Sequence, residues 1–392
     1  MTDNISFYKD AIPAKRGKKL GVNMLDFLLA TILSVLFYAL TNLVTEALPN
    51  IKETQNEIAL VQNEMKAMIK ESKIGEEKDG SFLGTDTLSK NYVYRLTYAS
   101  LLKGGVEEKN ISSSISNVYS PITSDTDNAY FYYVTFKETN LEGFSEKGIH
   151  GFSSYHELLS KEMPFSFLIE DNYPYLPLEN AQQIQNYIID ENYEIGGVTY
   201  NALKGRYDSL LKDGVNDFQD NYLPYKQKAN VNEQYKNKIY TVRRIEVLIA
   251  YVLSSFIAYF LFPLLLKDGK TLAMKVTSLG YCSEEGKRPK WQNLLIRSSL
   301  LFVEESFIMT LLPFLVYGGN AIDMVYLPFL GDISLLWVGA FSLLFMLFSF
   351  LSTFIDKEKK STFSELLSHL ILKDGKEFVL SKNGEGNESK RK

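Results

Sequence analysis

Four of the charged residues inside stretches apolar enough to cross a bilayer could do chemistry together. Glu304 and Glu305 lie about ten residues into an apolar run that begins near Leu294. Arg297 stands seven residues before Glu304, two helical turns away and on the same face of a helix. Asp26 sits early in another apolar run. A charge in the middle of a membrane helix costs several kcal/mol, so such residues face a bundle interior, a cavity or a partner. Asp26, Glu304 and Glu305 could together form a proton or cation path. Arg297, at the inner interface, would then steer or pair with a carboxylate through a water or a snorkelled side chain. The competing reading is structural: polar contacts between helices, with a carboxyl kept neutral by its surroundings.

Other chemistry finds little footing. Gly269-Lys270-Thr271 has the look of the end of a phosphate-binding loop, but Leu265 stands where that loop needs a glycine, in an apolar run with no strand before it. His150, His156 and His369 show no zinc-ligand spacing. No serine, cysteine or histidine nucleophile constellation is visible. No metal site, no cofactor and no enzyme activity are therefore expected. The net charge of −5 and the lack of a basic patch interleaved with aromatics argue against a nucleic-acid partner. The single cysteine, Cys282, excludes an intramolecular disulfide, so any aqueous domain must hold itself by packing. Asn110-Ile111-Ser112 matches a glycosylation sequon, a common chance match.

The elements that must position the four charges are membrane helices. Runs of about 20 apolar residues each can cross a hydrocarbon core of roughly 30 Å. The pattern predicts an α-helical integral membrane protein with four transmembrane helices. A large mixed α+β extracytoplasmic domain on two stalk helices separates the first and second spans. The expected order is a cytoplasmic N-terminus (1–19), first span (20–48), first stalk (49–74), α+β domain (75–200), second stalk (201–244) and second span (245–266). A cytoplasmic loop (267–293), third span (294–317), external loop (318–332), fourth span (333–355) and cytoplasmic C-terminus (356–392) follow. The first run is too long for a signal-peptide core and lacks a small-residue cleavage pattern, so it reads as a retained helix.

Lysine and arginine concentrate on cytoplasmic flanks. Lys15, Arg16, Lys18 and Lys19 precede the first span, the loop between the second and third spans is basic, and Lys357, Lys359 and Lys360 follow the fourth. All three clusters give one orientation, with both ends inside. Arg243 and Arg244 lie at the opposite end of the second span, beside a long translocated domain that is largely exempt from this bias.

In the first stalk, Ile51, Ile58 and Met65 and then Thr54, Val61 and Met68 repeat every seven residues, which fits a coiled-coil seam or an ordinary amphipathic helix. Within the domain, 92–103 reads as helix, and Tyr130–Phe136 and Phe165–Ile169 read as strands. Ile195-Gly196-Gly197-Val198 fits a hairpin turn or a helix boundary. Tyr200, Leu203, Tyr207, Leu210 and Leu211 share one helical face; Val231, Tyr235, Ile239 and Val242 share another. The crowd of aromatics from 117 to 200 reads as packing rather than as a recognition surface. The residues from about Lys376 read as a polar disordered tail.

The membrane module, about 14–46 and 245–373, resembles the RDD family of bacterial membrane proteins, named for an arginine and two aspartates. Lys19 takes the arginine position and Asp26, seven residues on, matches the first aspartate. Gly269 and Thr271 match a Gly-x-Thr run, where Ala273 and Met274 replace a Gly-Lys pair and Lys275 supplies a neighbouring cation. Gly286, Pro289 and Arg297 follow the family's polar turn, proline and arginine, and Glu365 takes the last aspartate position. Lysine for arginine and glutamate for aspartate keep the charge sign but not the bidentate geometry. The resemblance implies the plasma membrane of a bacterium, and transport is proposed for some members. The layout also looks like permeases of the FtsX and MacB type, which pair with a separate ATPase, although no clear coupling helix is visible in the 267–293 loop. The preferred expectation is a receptor, scaffold or regulatory protein with a protein partner at its outer domain, or a homo-oligomer in the bilayer. An ion- or proton-coupled transporter is the alternative.

Overall fold

The structure is a computed structural model that describes residues 13–79, 81–117, 119–266, 269–283, 289–355 and 361–374. Gly286, Lys357, Lys359, Lys360 and the tail from Lys376 lie outside these described residues. The chain divides into two compact units, Met1–Gln55 with Lys236–Lys392, and Asn56–Tyr235. Helix dominates both.

Among the described residues, four helices are long and apolar enough to cross a membrane: Arg16–Glu46, Leu223–Leu265, Phe307–Tyr326 and Leu335–Ile355. The first shows how a membrane helix sorts its faces. Val22, Asp26, Ala30, Ser34 and Tyr38, spaced by four, are buried, while Met24, Leu28, Ile32, Leu36 and Leu40 are exposed. Small and hydroxyl side chains on the inner stripe let neighbouring helices approach and bond. Ser34 meets Ser254 at 2.5 Å and the Tyr38 hydroxyl meets that of Tyr317 at 2.7 Å.

The third expected span, 294–317, is not one helix. It is Trp291–Glu304 followed by Phe307–Tyr317, with a break at Glu305–Ser306. A break inside a bilayer leaves backbone groups that need partners. Ser342, on the fourth span, supplies both: its hydroxyl donates to the Glu304 carbonyl at 2.6 Å and accepts from the Phe307 amide at 2.8 Å. The fourth span can come this close because Gly339 faces Thr310, where a Cβ would stand 2.5 Å from the Thr310 Oγ1.

Two segments read as irregular from sequence form a ribbon. Leu279–Ser283 pairs antiparallel with Leu370–Asp374, register Tyr281 to Leu372. The Ala14 amide adds a bond to the Leu372 carbonyl at 2.9 Å. Cys282 is fully buried in this ribbon, and burial pushes its thiol up.

Arg243 and Arg244, against the charge bias, are buried and fully occupied. Arg243 donates to both oxygens of Glu246 at 3.1 Å and to Glu46 at 2.9 Å. Arg244 donates to the carbonyls of Met324 and Pro328 at 3.0 and 2.9 Å. Together they tie the 318–332 segment and the span ends.

The Asn56–Tyr235 unit is built on an aromatic core. The α+β expectation survives only as two short ribbons, Glu77–Lys78 with Ser81–Phe82 and Leu168–Glu170 with Tyr173–Tyr175. The second closes through Asp171 and Asn172, both at positive φ, as a two-residue hairpin requires. Tyr130–Phe136, expected as a strand, is helical, running from Asn128–Tyr130 into the π-helical Phe131–Phe136. Asp127 starts it by accepting the Tyr130 amide at 3.0 Å. Tyr132, Tyr133 and Phe136 are then buried together, so packing overrides the β-propensity of the run.

The second expected stalk, 201–244, is also divided. Glu194–Asn221 and Leu223–Ser255 are separate helices, and the first belongs to the core, with Tyr200, Leu203, Tyr207, Leu210 and Leu211 all buried. Gly196 and Gly197 open that helix rather than a hairpin. A Cβ on Gly196 would meet the Gln183 carbonyl at 2.2 Å, so glycine is what lets the Leu178–Ile189 helix pack there. In the first expected stalk, Pro49–Ser72 is helical, and its Met65 and Met68 pack against the aromatic core.

Candidate functional site

The residues singled out by charge converge in the membrane unit. Lys19 and Glu365, the two substituted motif positions, meet across 346 residues at 2.7 Å, both buried. Glu365 does two jobs. It also accepts the Thr362 amide at 3.0 Å and closes a capping box that starts the Phe363–Ser368 helix. A longer acid meets an unbranched cation, so a single hydrogen-bonded pair stands where sequence suggested only conserved charge sign.

Asp26 sits on the inner stripe of the first span. Its carboxylate faces the Thr271 side chain and the Ala273 amide, and Arg297 is its charged neighbour. Thr271 in turn caps the Leu272–Thr277 helix by accepting the Met274 amide at 3.2 Å. Gly269 holds φ +65° with its missing Cβ against Pro289, which explains why that glycine and that proline occur together. Lys275, the expected neighbouring cation, is exposed and takes no part in the cluster.

Arg297 is 2% exposed and lies over the Tyr281 ring, 4.2 Å from its centroid. Asp26, Glu305 and Glu365 surround it electrostatically. Its Nε and Nη1 have no hydrogen-bond partner among the described residues, nor has Asp26 Oδ2. No direct ion pair of Arg297 with a carboxylate is formed among the described residues; its guanidinium stacks on tyrosine instead. Glu305 accepts from the Tyr259 hydroxyl, whose own oxygen lies 3.4 Å from the Asp26 carbonyl.

Glu304 differs from the rest. It is 8% exposed, its Oε2 has no hydrogen-bond partner among the described residues, and it lines a cavity of about 350 Å³. Glu305, Lys19 and Arg16 line the same cavity, and its remaining wall is largely apolar. The cluster holds four carboxylates (Asp26, Glu304, Glu305, Glu365) against two cations (Lys19, Arg297), and Lys19 is already committed to Glu365. Buried negative charge in excess needs a proton or a bound cation to balance it.

Sequence reasoning found Asp26, Arg297, Glu304, Glu305 and both motif partners, but missed Tyr259, Tyr281 and Ser342. An isolated tyrosine or serine in an apolar run carries no local signal; only the fold reveals what it touches.

No curated protein matches the chain, and no solved structure matches it. The family match begins inside the helix leading to the second span and ends just past Glu365, so it covers Arg297, Glu304 and Glu305 while Lys19 and Asp26 lie outside it. Residues 229–366 of this membrane protein match the model of the RDD family.

Proposed function

We infer that the membrane unit is an ion- or proton-coupled transporter whose working groups are Asp26, Glu304 and Glu305. One observation carries the reading: an unpartnered Glu304 oxygen on the wall of a cavity, inside an RDD-family membrane region. Natural interiors pair their buried polar atoms, and an unpaired one at a cavity asks for a ligand. Glu305, next in sequence and held by Tyr259, would pass charge between Glu304 and the Asp26–Arg297 end. Proton or cation flux into vesicles holding the purified chain tests this. Glu304→Gln and Glu305→Gln should each abolish flux; flux unchanged in both, or absent from the parent, removes the reading.

A second reading keeps the Asn56–Tyr235 unit as an extracytoplasmic partner-binding domain with a regulatory role. Ile195 and Val198, one helical turn apart, are both more than 60% exposed there, as is Ile189 just before them. Affinity purification checks it: recovery of an ATPase selects a permease subunit, and recovery of nothing removes this second role. Both readings take the plasma membrane as the setting, with the two ends and the 267–293 loop in the cytoplasm. The Ala14–Leu372 bond and the Leu279–Ser283 ribbon support a shared side for these segments.

A further inference from the structure

The cavity beside Glu304 has the wrong walls for a bare ion. Beside Asn23, its first-span side carries Leu20, Met24 and Phe27; beside Ser349 and Thr353, its fourth-span side carries Leu343, Met346 and Phe350. Leu20, Met24, Leu343 and Phe350 are also exposed on the outer faces of their helices, so the cavity is continuous with the surface that meets lipid. A hydrated inorganic cation gains nothing from such walls, whereas an apolar body does, in proportion to the area it removes from water. At about 350 Å³ the space suits a small organic molecule rather than a water chain.

The polar side of the cavity gives the occupant its head. The Glu304 Oε2 is a buried acceptor with no donor. The two cations on the wall are engaged: Lys19 bonds to Glu365, and Arg16 donates Nε to the Thr353 carbonyl at 3.0 Å while lying over the Phe354 ring; the Ser349 hydroxyl, on the same wall, is a second polar atom with no partner among the described residues. A ligand with several N–H donors and a positive charge satisfies both vacant positions, Glu304 Oε2 and Ser349 Oγ. A carboxylic acid would add negative charge to a cluster already in excess of it.

We propose that this cavity binds lipophilic organic ammonium ions, with the ammonium N–H donated to Glu304 and the apolar body between the first and fourth spans. The inference rests on the preceding reading of Glu304 as the carboxylate that meets a cation, and it names the cation. It requires binding, not movement.

Equilibrium dialysis of the full-length purified protein against 4-phenylbutylamine, with 4-phenylbutanol as the uncharged analogue of similar shape, tests it. Both compounds can donate a hydrogen bond to the carboxylate, but only the ammonium adds a charge–charge attraction, which should favour the amine over the alcohol by about tenfold or more. Glu304→Gln should remove that preference while leaving the weak alcohol binding in place. Met346→Trp, which fills the apolar part without touching a charge, should weaken both compounds. Equal binding of amine and alcohol by the parent overturns the proposal. So does a preference that survives Glu304→Gln, or binding untouched by Met346→Trp, the variant that keeps the test alive if Glu304→Gln does not fold. Amine binding without flux keeps this inference and removes the transport reading; flux without amine preference does the reverse.

Discussion

Each unit of this protein buries a carboxylate among tyrosines, and the two are finished differently. In the Asn56–Tyr235 unit, Asp127 Oδ1 accepts the Tyr130 amide and the Tyr207 hydroxyl, at 3.0 and 2.6 Å. Its Oδ2 accepts Tyr155 and Tyr173 at 3.0 and 2.8 Å. Tyr207 passes the network on by accepting the Ala129 amide at 3.1 Å. In the membrane unit, Glu304, Asp26 and Arg297 each keep a buried polar atom with no partner among the described residues. A fully satisfied network fixes a core, while a partly satisfied one is costly unless something arrives to complete it. The Asp127 carboxylate is complete although the neighbouring Tyr92 hydroxyl, stacked on Tyr207, also lacks a partner; the membrane cluster differs in setting its unpaired Glu304 oxygen on a cavity wall, so the first reads as architecture and the second as a candidate site.

The largest effect should come from the satisfied part of the membrane cluster. Lys19→Met strands Glu365 and should cost about 3–5 kcal/mol in thermal unfolding of the full chain in detergent. Adding Glu365→Gln should restore most of it, because glutamine keeps the capping bond and carries no charge. A double variant as unstable as the single one would mean that this pair is not the link between the chain's ends.

Next comes Asp127→Ala, which leaves three tyrosine hydroxyls and an amide without their acceptor. A loss of roughly 3 kcal/mol in hydrogen-exchange protection of residues 127–136 is expected. Burial raises the Asp127 carboxyl above its ordinary value of 3.8, against the pull of its hydrogen bonds. The folded protein then holds that proton more tightly than the unfolded chain does. The resulting stabilisation is complete below pH 3.8 and is lost as pH rises through the raised folded value. Protection in the parent should fall across that window relative to Asp127→Asn, which has no proton to lose. Parallel curves for the two proteins would refute the assignment.

A smaller effect, about 1–3 kcal/mol, is expected for Gly339→Ala, whose added methyl meets Thr310. Because the fourth span also carries Ser342, this change should loosen the break at Glu305–Ser306 and lower exchange protection at Phe307. Protection there that is unchanged would separate the break from the helix packing.

How far the sequence could be read follows the same division. Hydropathy located the apolar helices, because lipid demands long runs and tolerates few charges. The charge pattern located Asp26, Arg297, Glu304 and Glu305 for the same reason. Partners were not legible: Lys19 and Glu365 are 346 residues apart, and no periodicity links them. The break at Glu305–Ser306 was hidden because its compensation comes from Ser342 on another helix. In the Asn56–Tyr235 unit, Tyr130–Phe136 misled because an aromatic helix buried on several faces loses the alternation that separates helix from strand. Arg243 and Arg244 were set aside as exempt from the charge bias, and what they hold, Glu246 and Glu46 for the one and the Met324 and Pro328 carbonyls for the other, was not legible either.

The smallest change in stability and the largest in function should coincide in Glu304→Gln. Melting and vesicle flux measured on one preparation of that variant test the central claim most directly. An unpartnered carboxylate contributes little to the fold, so the melt should stay within about 1 kcal/mol of the parent, and flux should disappear. A variant that melts as early as Lys19→Met yet still carries flux would contradict the account, making Glu304 a structural contact like Asp127.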